Sequence, residues 1–218
     1  MQFYIDGAWV DPVSSTLMPV VNPATEQPMY EIALGSRADI DKAVAAARAA
    51  FAGFSTTRRT ERLELLHGIA ELYRSRAEEI ARAISDEMGA PLALARRAQA
   101  AAGLGHILAT LEVLKDYAFE ERLGRAMVLR EPVGVVGMIT PWNWPMNQIA
   151  CKVVPALAAG CTMVLKPSEF TPTCALVFAS VTGRWLSIKK LPVGHFFIDL
   201  HLLATGVVLQ IVNKNPPG

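Results

Sequence analysis

The chain has 218 residues, which at roughly 150 residues per domain allows one domain or little more and excludes a multidomain machine. Its 21 Lys and Arg against 20 Asp and Glu leave a net charge of +1, so there is no electrostatic reason to bind nucleic acid or an anionic membrane. With 52% hydrophobic and 19% charged residues, the composition is too apolar for a disordered chain and fits a packed, Ala-rich protein.

Phe3-Tyr4-Ile5 and Ala8-Trp9-Val10 flank Asp6-Gly7, a dipeptide that supplies the positive φ angles of a tight turn and predicts an opening β-hairpin. The N-terminus lacks the basic start and apolar run of a signal peptide. Asn22-Pro23 marks a turn, and Ser36 caps a helix whose residues Ile40, Val44, Ala47, Phe51 and Phe54 recur at helical spacing and predict the buried face. A longer helix is expected from about Thr57 to Met88, with Leu63, Leu66, Ile69, Leu72, Ile80 and Ile84 inward, stopped by Gly89 and Pro91. A third is expected from about Leu92 to Ala118.

The pattern changes near residue 127. Met127 to Arg130 and Val133 to Ile139 read as strands, the second apolar on both faces as in a buried parallel sheet. Pro145 opens a helix reaching Gly160, with Pro155 inside it; Thr162 to Lys166 is another strand, and Thr171-Pro172 begins a further helix. This βαβα order predicts an α/β fold: an incomplete doubly wound, Rossmann-like parallel sheet preceded by the β-hairpin and long helices. Residues just after Ile139 and just after Leu165 then emerge at one edge of the sheet, where ligands of such folds bind.

Those turns are Thr140-Pro141-Trp142-Asn143-Trp144-Pro145 and Lys166-Pro167-Ser168-Glu169-Phe170-Thr171-Pro172. With Glu131-Pro132-Val133-Gly134-Val135-Val136-Gly137 upstream and Pro155-Ala156-Leu157-Ala158-Ala159-Gly160 between them, they resemble the aldehyde dehydrogenase superfamily. The resemblance extends over residues 1 to about 178 and implies that residues 1–180 are the N-terminal part of a cofactor-binding domain, followed by a divergent tail at 181–218. It implies oxidation of an aldehyde to a carboxylic acid with NAD, through a cysteine thiolate, hydride transfer and thioester hydrolysis.

On this resemblance Asn143 is the catalytic candidate, its side-chain amide donating to the oxygen that becomes negative when sulfur adds to the carbonyl. Ile139, Thr140, Pro141 and Trp142 line the cofactor cleft, and Lys166 and Glu169 hold the adenosine ribose. Glu169 would repel a 2′-phosphate, which makes NADP the less expected cofactor. Lys152 occupies a family position near the catalytic centre that could assist proton movement. Tyr117 to Arg130 resembles an oligomerisation hairpin, at about 117–131 with Gly124 at its turn, whose open edge would pair with an identical or related subunit.

The family's nucleophile context, G-Q-x-C, and its general-base context, E-L-G-G-K, do not occur in the 218 residues. Cys151, Cys161 and Cys174 sit where small apolar thiols pack; their odd number and lack of C-x-x-C spacing argue against disulfides, zinc or haem, so no metal site is expected. Gly103-Leu104-Gly105 imitates part of a dinucleotide fingerprint but lies in a helical pattern, and His67 and His106 read as ordinary helix residues. From about Ala179 the family pattern gives way to a text such as a truncated reading frame, a frameshift or an alternative gene model produces. Leu191 to Val212 carries His195, Asp199, His201 and Gln210, which argues against a membrane span, and Val207 to Val212 is an expected aggregation-prone run. The expectation is a cytoplasmic, NAD-dependent family member, truncated and inactive alone. The alternatives are a non-catalytic interaction subunit pairing with a full-length relative, or an unstable product.

Overall fold

Asp6 and Gly7 both take positive φ, 54° and 75°, the backbone that a two-residue hairpin turn requires. Strands β1 (Phe3–Ile5) and β2 (Ala8–Val10) accordingly pair antiparallel, Phe3 opposite Val10 and Ile5 opposite Ala8. The computed structural model describes residues 2–14 and 16–189, with side chains to residue 183. The apolar run at Val207 to Val212 and most of the tail expected at 181–218 lie outside the described residues.

A second antiparallel pair, β3 (Leu17–Asn22) and β4 (Gln27–Ala33), stands where the sequence marks only a turn. Asn22 Oδ1 accepts from the backbone N–H of Ala24 at 2.9 Å and of Thr25 at 3.3 Å, which closes that turn. Pro19 and Pro28, both within the ladder, hide the strand signal, because proline ordinarily demotes a strand.

Helix α1 (Arg37–Phe54) begins as expected at Ser36, in a reciprocal capping box with Asp39. Its buried face differs from the one expected: Ala43, Ala47, Ala50 and Phe54 are buried, whereas Ile40, Val44 and Phe51 are half-buried. Small residues win this face because a strand comes close, Thr162 Oγ1 donating to the Ala47 carbonyl at 2.8 Å.

The single helix expected over Thr57 to Met88 is two, α2 (Arg59–Ser75) and α3 (Ala77–Met88). Arg76 breaks them with φ −110° and ψ 10°, its N–H turning back to the Tyr73 carbonyl at 3.1 Å. Its guanidinium bonds Glu79 and the Ser180 hydroxyl, a long-range anchor that no local pattern announces. Gly89, at φ 79°, ends α3 as expected.

The third expected helix comprises α4 (Leu92–Leu94), a π-helical stretch at Ala95–Ala100, and α5 (Ala101–Asp116). The Tyr73 hydroxyl donates to the Ala100 carbonyl at 2.7 Å, so a side chain takes an acceptor where the helix widens. Beyond it, β5 (Glu120–Leu123) and β6 (Ala126–Leu129) form the expected hairpin around Gly124 at φ 60°.

Strand β7 (Val135–Ile139) starts two residues later than expected, leaving Val133 88% exposed. It pairs in parallel with β8 (Thr162–Lys166), Val135 opposite Thr162 and Ile139 opposite Lys166. The expectation that β7 is buried on both faces does not hold: Met138 is buried, while Gly137 and Ile139 are exposed. The reason is partial cover, since Val135 packs with Ala43 and Ala47 of α1 and the carboxyl end of that face extends past them. Helices α6 (Pro145–Ala159) and α7 (Pro172–Lys189) complete the βαβα order. The main core draws together the end of α1 with α2, α3, α5, α6 and α7, with Phe54, Leu66, Tyr73, Ile84, Ile107 and Phe178 almost fully buried.

Candidate functional site at the carboxyl ends of the parallel strands

Parallel pairing sends both chains out at one edge, and the last rung fixes how closely. The Thr140 N–H donates to the Lys166 carbonyl at 3.1 Å, one step beyond the Ile139–Lys166 register pair. The segments starting at Thr140 and at Lys166 therefore leave the sheet side by side, and the sequence expectation that they share an edge is met.

The first segment turns sharply. Thr140 is buried at 3% exposure, and Pro141, Trp142 and Asn143 are exposed. Trp144 sits in the left-handed region at φ 57° and ψ 56°, a strained conformation for a bulky side chain. It forms the N-cap of α6, its carbonyl accepting from Gln148 N at 3.1 Å, and Pro145 occupies the first helical position. Ile139 and Trp142, both 48% exposed, present apolar surface at this rim, joined by Trp144 and by Phe170 from the second segment.

The second segment is held by its own turn. Ser168 Oγ accepts from Phe170 N at 3.3 Å, and the Ser168 carbonyl accepts from Thr171 N at 3.2 Å. Lys166 Nζ pairs with Glu169 Oε2 at 2.7 Å, with side chains only 15% and 21% exposed. Partial desolvation makes this pair more specific in geometry than an open surface bridge. Together the rim offers an ammonium donor, a carboxylate acceptor and exposed apolar side chains.

Lys152 lies two turns into α6, its Nζ donating to the Gln148 carbonyl at 3.2 Å and side chain at 3.1 Å. Cys161 and Cys174 are buried and Cys151 is half-buried; full burial pushes the Cys174 thiol well up. His67 is exposed, and His106 Nε2 lies 2.8 Å from Asn147 Oδ1, joining α5 to α6. Gly103 is a packing residue: a Cβ there would lie 2.9 Å from Tyr73 Cζ. Among the described residues no group of three or more His, Cys, Asp or Glu could hold a metal ion. No helix among them is long and apolar enough to cross a membrane. Cavities of about 440 and 680 Å³ lie at the base of the β5–β6 hairpin, by Tyr117, Phe119 and Arg130, away from this rim.

Glu87, at the end of α3, stands in the Glu87-Met88-Gly89 segment that shares the family resemblance, but sequence reasoning gave it no role. It is 5% exposed, and its Oε1 accepts from the Tyr30 hydroxyl of β4 and from Thr173 N, the latter at 3.0 Å. Thr173 is the second residue of α7, so Glu87 supports the element that follows the Lys166–Thr171 segment. Burial raises its carboxyl above the ordinary range even against these hydrogen bonds. A glutamate inside an amphipathic helix carries no local signal of this role.

Comparison with known proteins bears on the whole of this architecture. The chain is 56% identical over 181 residues to 3-succinoylsemialdehyde-pyridine dehydrogenase of a Pseudomonas species, covering 83% of this chain and 38% of that protein. An aldehyde dehydrogenase C mutant of Pseudomonas syringae, crystallised with NAD+ and octanal, superposes with a TM-score of 0.87 at 46% identity, covering 92% of this chain and 41% of that one. The aldehyde dehydrogenase of Bartonella henselae gives 0.86 at 43% identity, covering 91% and 42%. The chain thus spans about two fifths of the length of the relatives it matches. The model of the aldehyde dehydrogenase family matches residues 9–194, a span that takes in the rim and its supporting helices, so the chain belongs to the aldehyde dehydrogenase family.

Proposed function

We propose that this chain forms the cofactor-holding part of a cytoplasmic aldehyde-oxidising site and binds NAD at the rim after β7 and β8. The carrying observation is the half-buried Lys166–Glu169 pair, set beside the Thr140–Trp142 segment by the Thr140–Lys166 rung. NAD fits this donor set: Lys166 would donate to ribose oxygens, Glu169 would accept from ribose hydroxyls, and exposed Ile139 and Trp142 would cover flat apolar surface. When bound, NAD supplies the hydride acceptor for aldehyde oxidation. Glu169 disfavours a 2′-phosphate by like-charge repulsion and so favours NAD over NADP. The crystallised relative from P. syringae holds NAD+ and octanal, which supports the same cofactor and substrate class here.

Asn143, on the exposed turn before α6, would donate its side-chain amide to a developing oxyanion. The amide acts only when a nucleophile adds to the carbonyl, and the G-Q-x-C context is absent from these 218 residues. Binding of NAD without robust aldehyde turnover is therefore the expected behaviour of the chain alone. Titration with NAD followed by tryptophan fluorescence, alongside an assay for NADH with a panel of aldehydes, tests this. Absence of NAD binding would defeat the reading, and robust turnover abolished by Asn143→Ala would defeat the claim of inactivity.

A second reading, an interaction subunit, is favoured by the β5–β6 hairpin, where Leu123, Met127 and Leu129 are each more than half exposed. Co-purification with an intact relative, lost when Leu123 and Leu129 are changed to Glu, supports it. A chain without a cooperative thermal transition would point instead to an unstable product.

A further inference from the structure

We infer that Glu87 is a positioning residue for the Lys166–Glu169 rim, acting through the first turn of α7. The inference rests on the cofactor reading above and extends it to a residue on another helix.

The geometry gives one carboxylate oxygen two tasks. Glu87 Oε1 accepts from Thr173 N at 3.0 Å, one of the N–H groups that a helix start leaves without an internal partner. The same oxygen accepts from the Tyr30 hydroxyl, which also lies 2.7 Å from the Thr173 hydroxyl. Three elements thus meet at one atom: the end of α3, the middle of β4 and the start of α7. Glu87 Oε2 is buried with no hydrogen-bond partner among the described residues. Oε1 is thus the atom through which the buried carboxyl group is held, and its partners lie on β4 and at the start of α7.

The held end of α7 closes the turn that carries the pair. From Lys166 to Pro172 the backbone runs through the buried residues Pro167, Ser168 and Thr171, and the Ser168–Thr171 hydrogen bond leads directly into the helix. Fixing Thr173 leaves little freedom to the residues between it and Lys166, which β8 fixes from the other side. The distance between Lys166 Nζ and Glu169 Oε2 is then set at both ends. The groups that titrate against Glu87 are Tyr30 from β4 and Cys174 from α7.

The test compares the chain with Glu87→Ala, Glu87→Gln and the core control Leu66→Ala, reading amide hydrogen exchange over residues 166–174 and NAD affinity. Glu87→Ala should raise exchange at Thr173 and Phe170 and weaken NAD about tenfold. Glu87→Gln keeps an acceptor oxygen and should restore most of both. Leu66→Ala should lower the thermal midpoint without selective exchange in this segment. If Glu87→Ala fails to fold, Tyr30→Phe, which removes one donor and leaves the carboxylate, should show the same selective exchange in smaller degree. Exchange over 166–174 that changes no more than in Leu66→Ala overturns the inference. A wild-type chain without NAD affinity overturns the cofactor reading instead, while exchange still decides whether Glu87 orders the rim.

Discussion

The guanidinium of Arg62 occupies the space into which a side chain at Gly160 would project: a Cβ there would lie 2.6 Å from Arg62 Cζ. Arg62 is 4% exposed and donates to the Ser55 carbonyl at 2.9 Å, the Thr57 hydroxyl at 2.9 Å and the Ala158 carbonyl at 3.3 Å. It also stands over the rings of Phe54 and Phe119, at 6.0 and 5.4 Å. The end of α1, the start of α2 and the end of α6 are thereby joined through one cation, and the C-cap glycine of α6 is part of the joint.

Gly160→Ala should therefore destabilise the chain by about 2–4 kcal/mol, combining the cost of φ 84° for an L side chain with displacement of Arg62. Urea unfolding checks this. A loss of only about 1 kcal/mol, no more than the left-handed φ costs by itself, would mean that Arg62 moves aside freely.

The two glycines of the apparent dinucleotide fingerprint should respond in opposite directions. A Cβ at Gly103 meets the Tyr73 ring, and Gly103→Ala should cost about 1–3 kcal/mol by overpacking. At Gly105 nothing lies within 4 Å, and Gly105→Ala should stabilise by about 0.5–1 kcal/mol through helix propensity and reduced unfolded-state freedom. Tyr73→Phe should cost about 1–3 kcal/mol by leaving the buried Ala100 carbonyl without the hydroxyl it receives at 2.7 Å. Denaturant midpoints of the three variants give the comparison.

At the rim, Lys166→Ala should weaken NAD about tenfold and leave the thermal midpoint nearly unchanged. Glu169→Gln should narrow the preference for NAD over NADP, because the repelling charge is gone while an acceptor remains. Isothermal titration with both nucleotides separates these effects; equal loss for Lys166→Ala in affinity and stability would assign Lys166 to the fold.

Two glutamates predict opposite pH dependences. Burial raises Glu87 above its ordinary 4.5, so its contribution is full below 4.5 and is lost as pH rises through the raised folded value. Glu78 is held down at about 2 by hydrogen bonds from Arg96 and Arg82, so its contribution is full above 4.5 and is lost as pH falls toward 2. Glu87→Gln should flatten the decline of stability on the rising side, and Glu78→Gln the decline on the acid side. Added salt should shrink only the Glu78 effect, since that group is exposed. Urea midpoints from about pH 3 to pH 8 test both.

Punctuation by glycine was legible in the sequence, because it depends on one residue. Gly7, Gly89, Gly124 and Gly160 all take positive φ where turns or helix ends were expected. The parallel pairing of β7 and β8 was legible too, from apolar runs separated by a helix-length segment. The break at Arg76, the π-helical stretch at Ala95–Ala100 and the alanine face of α1 were not, since each answers to a partner distant in sequence: Ser180, Tyr73 and Thr162.

By itself the sequence determined the order of elements, the family-like turns and the edge at which they emerge, because backbone preference, side-chain periodicity and parallel connection are local or topological properties. Only the tertiary structure decided that Glu87 and Tyr30 stand behind α7 and that Arg62 fills the space beside Gly160. Those relations come from desolvated polar atoms seeking whichever partner the packed helices bring within reach, which no spacing along the chain encodes.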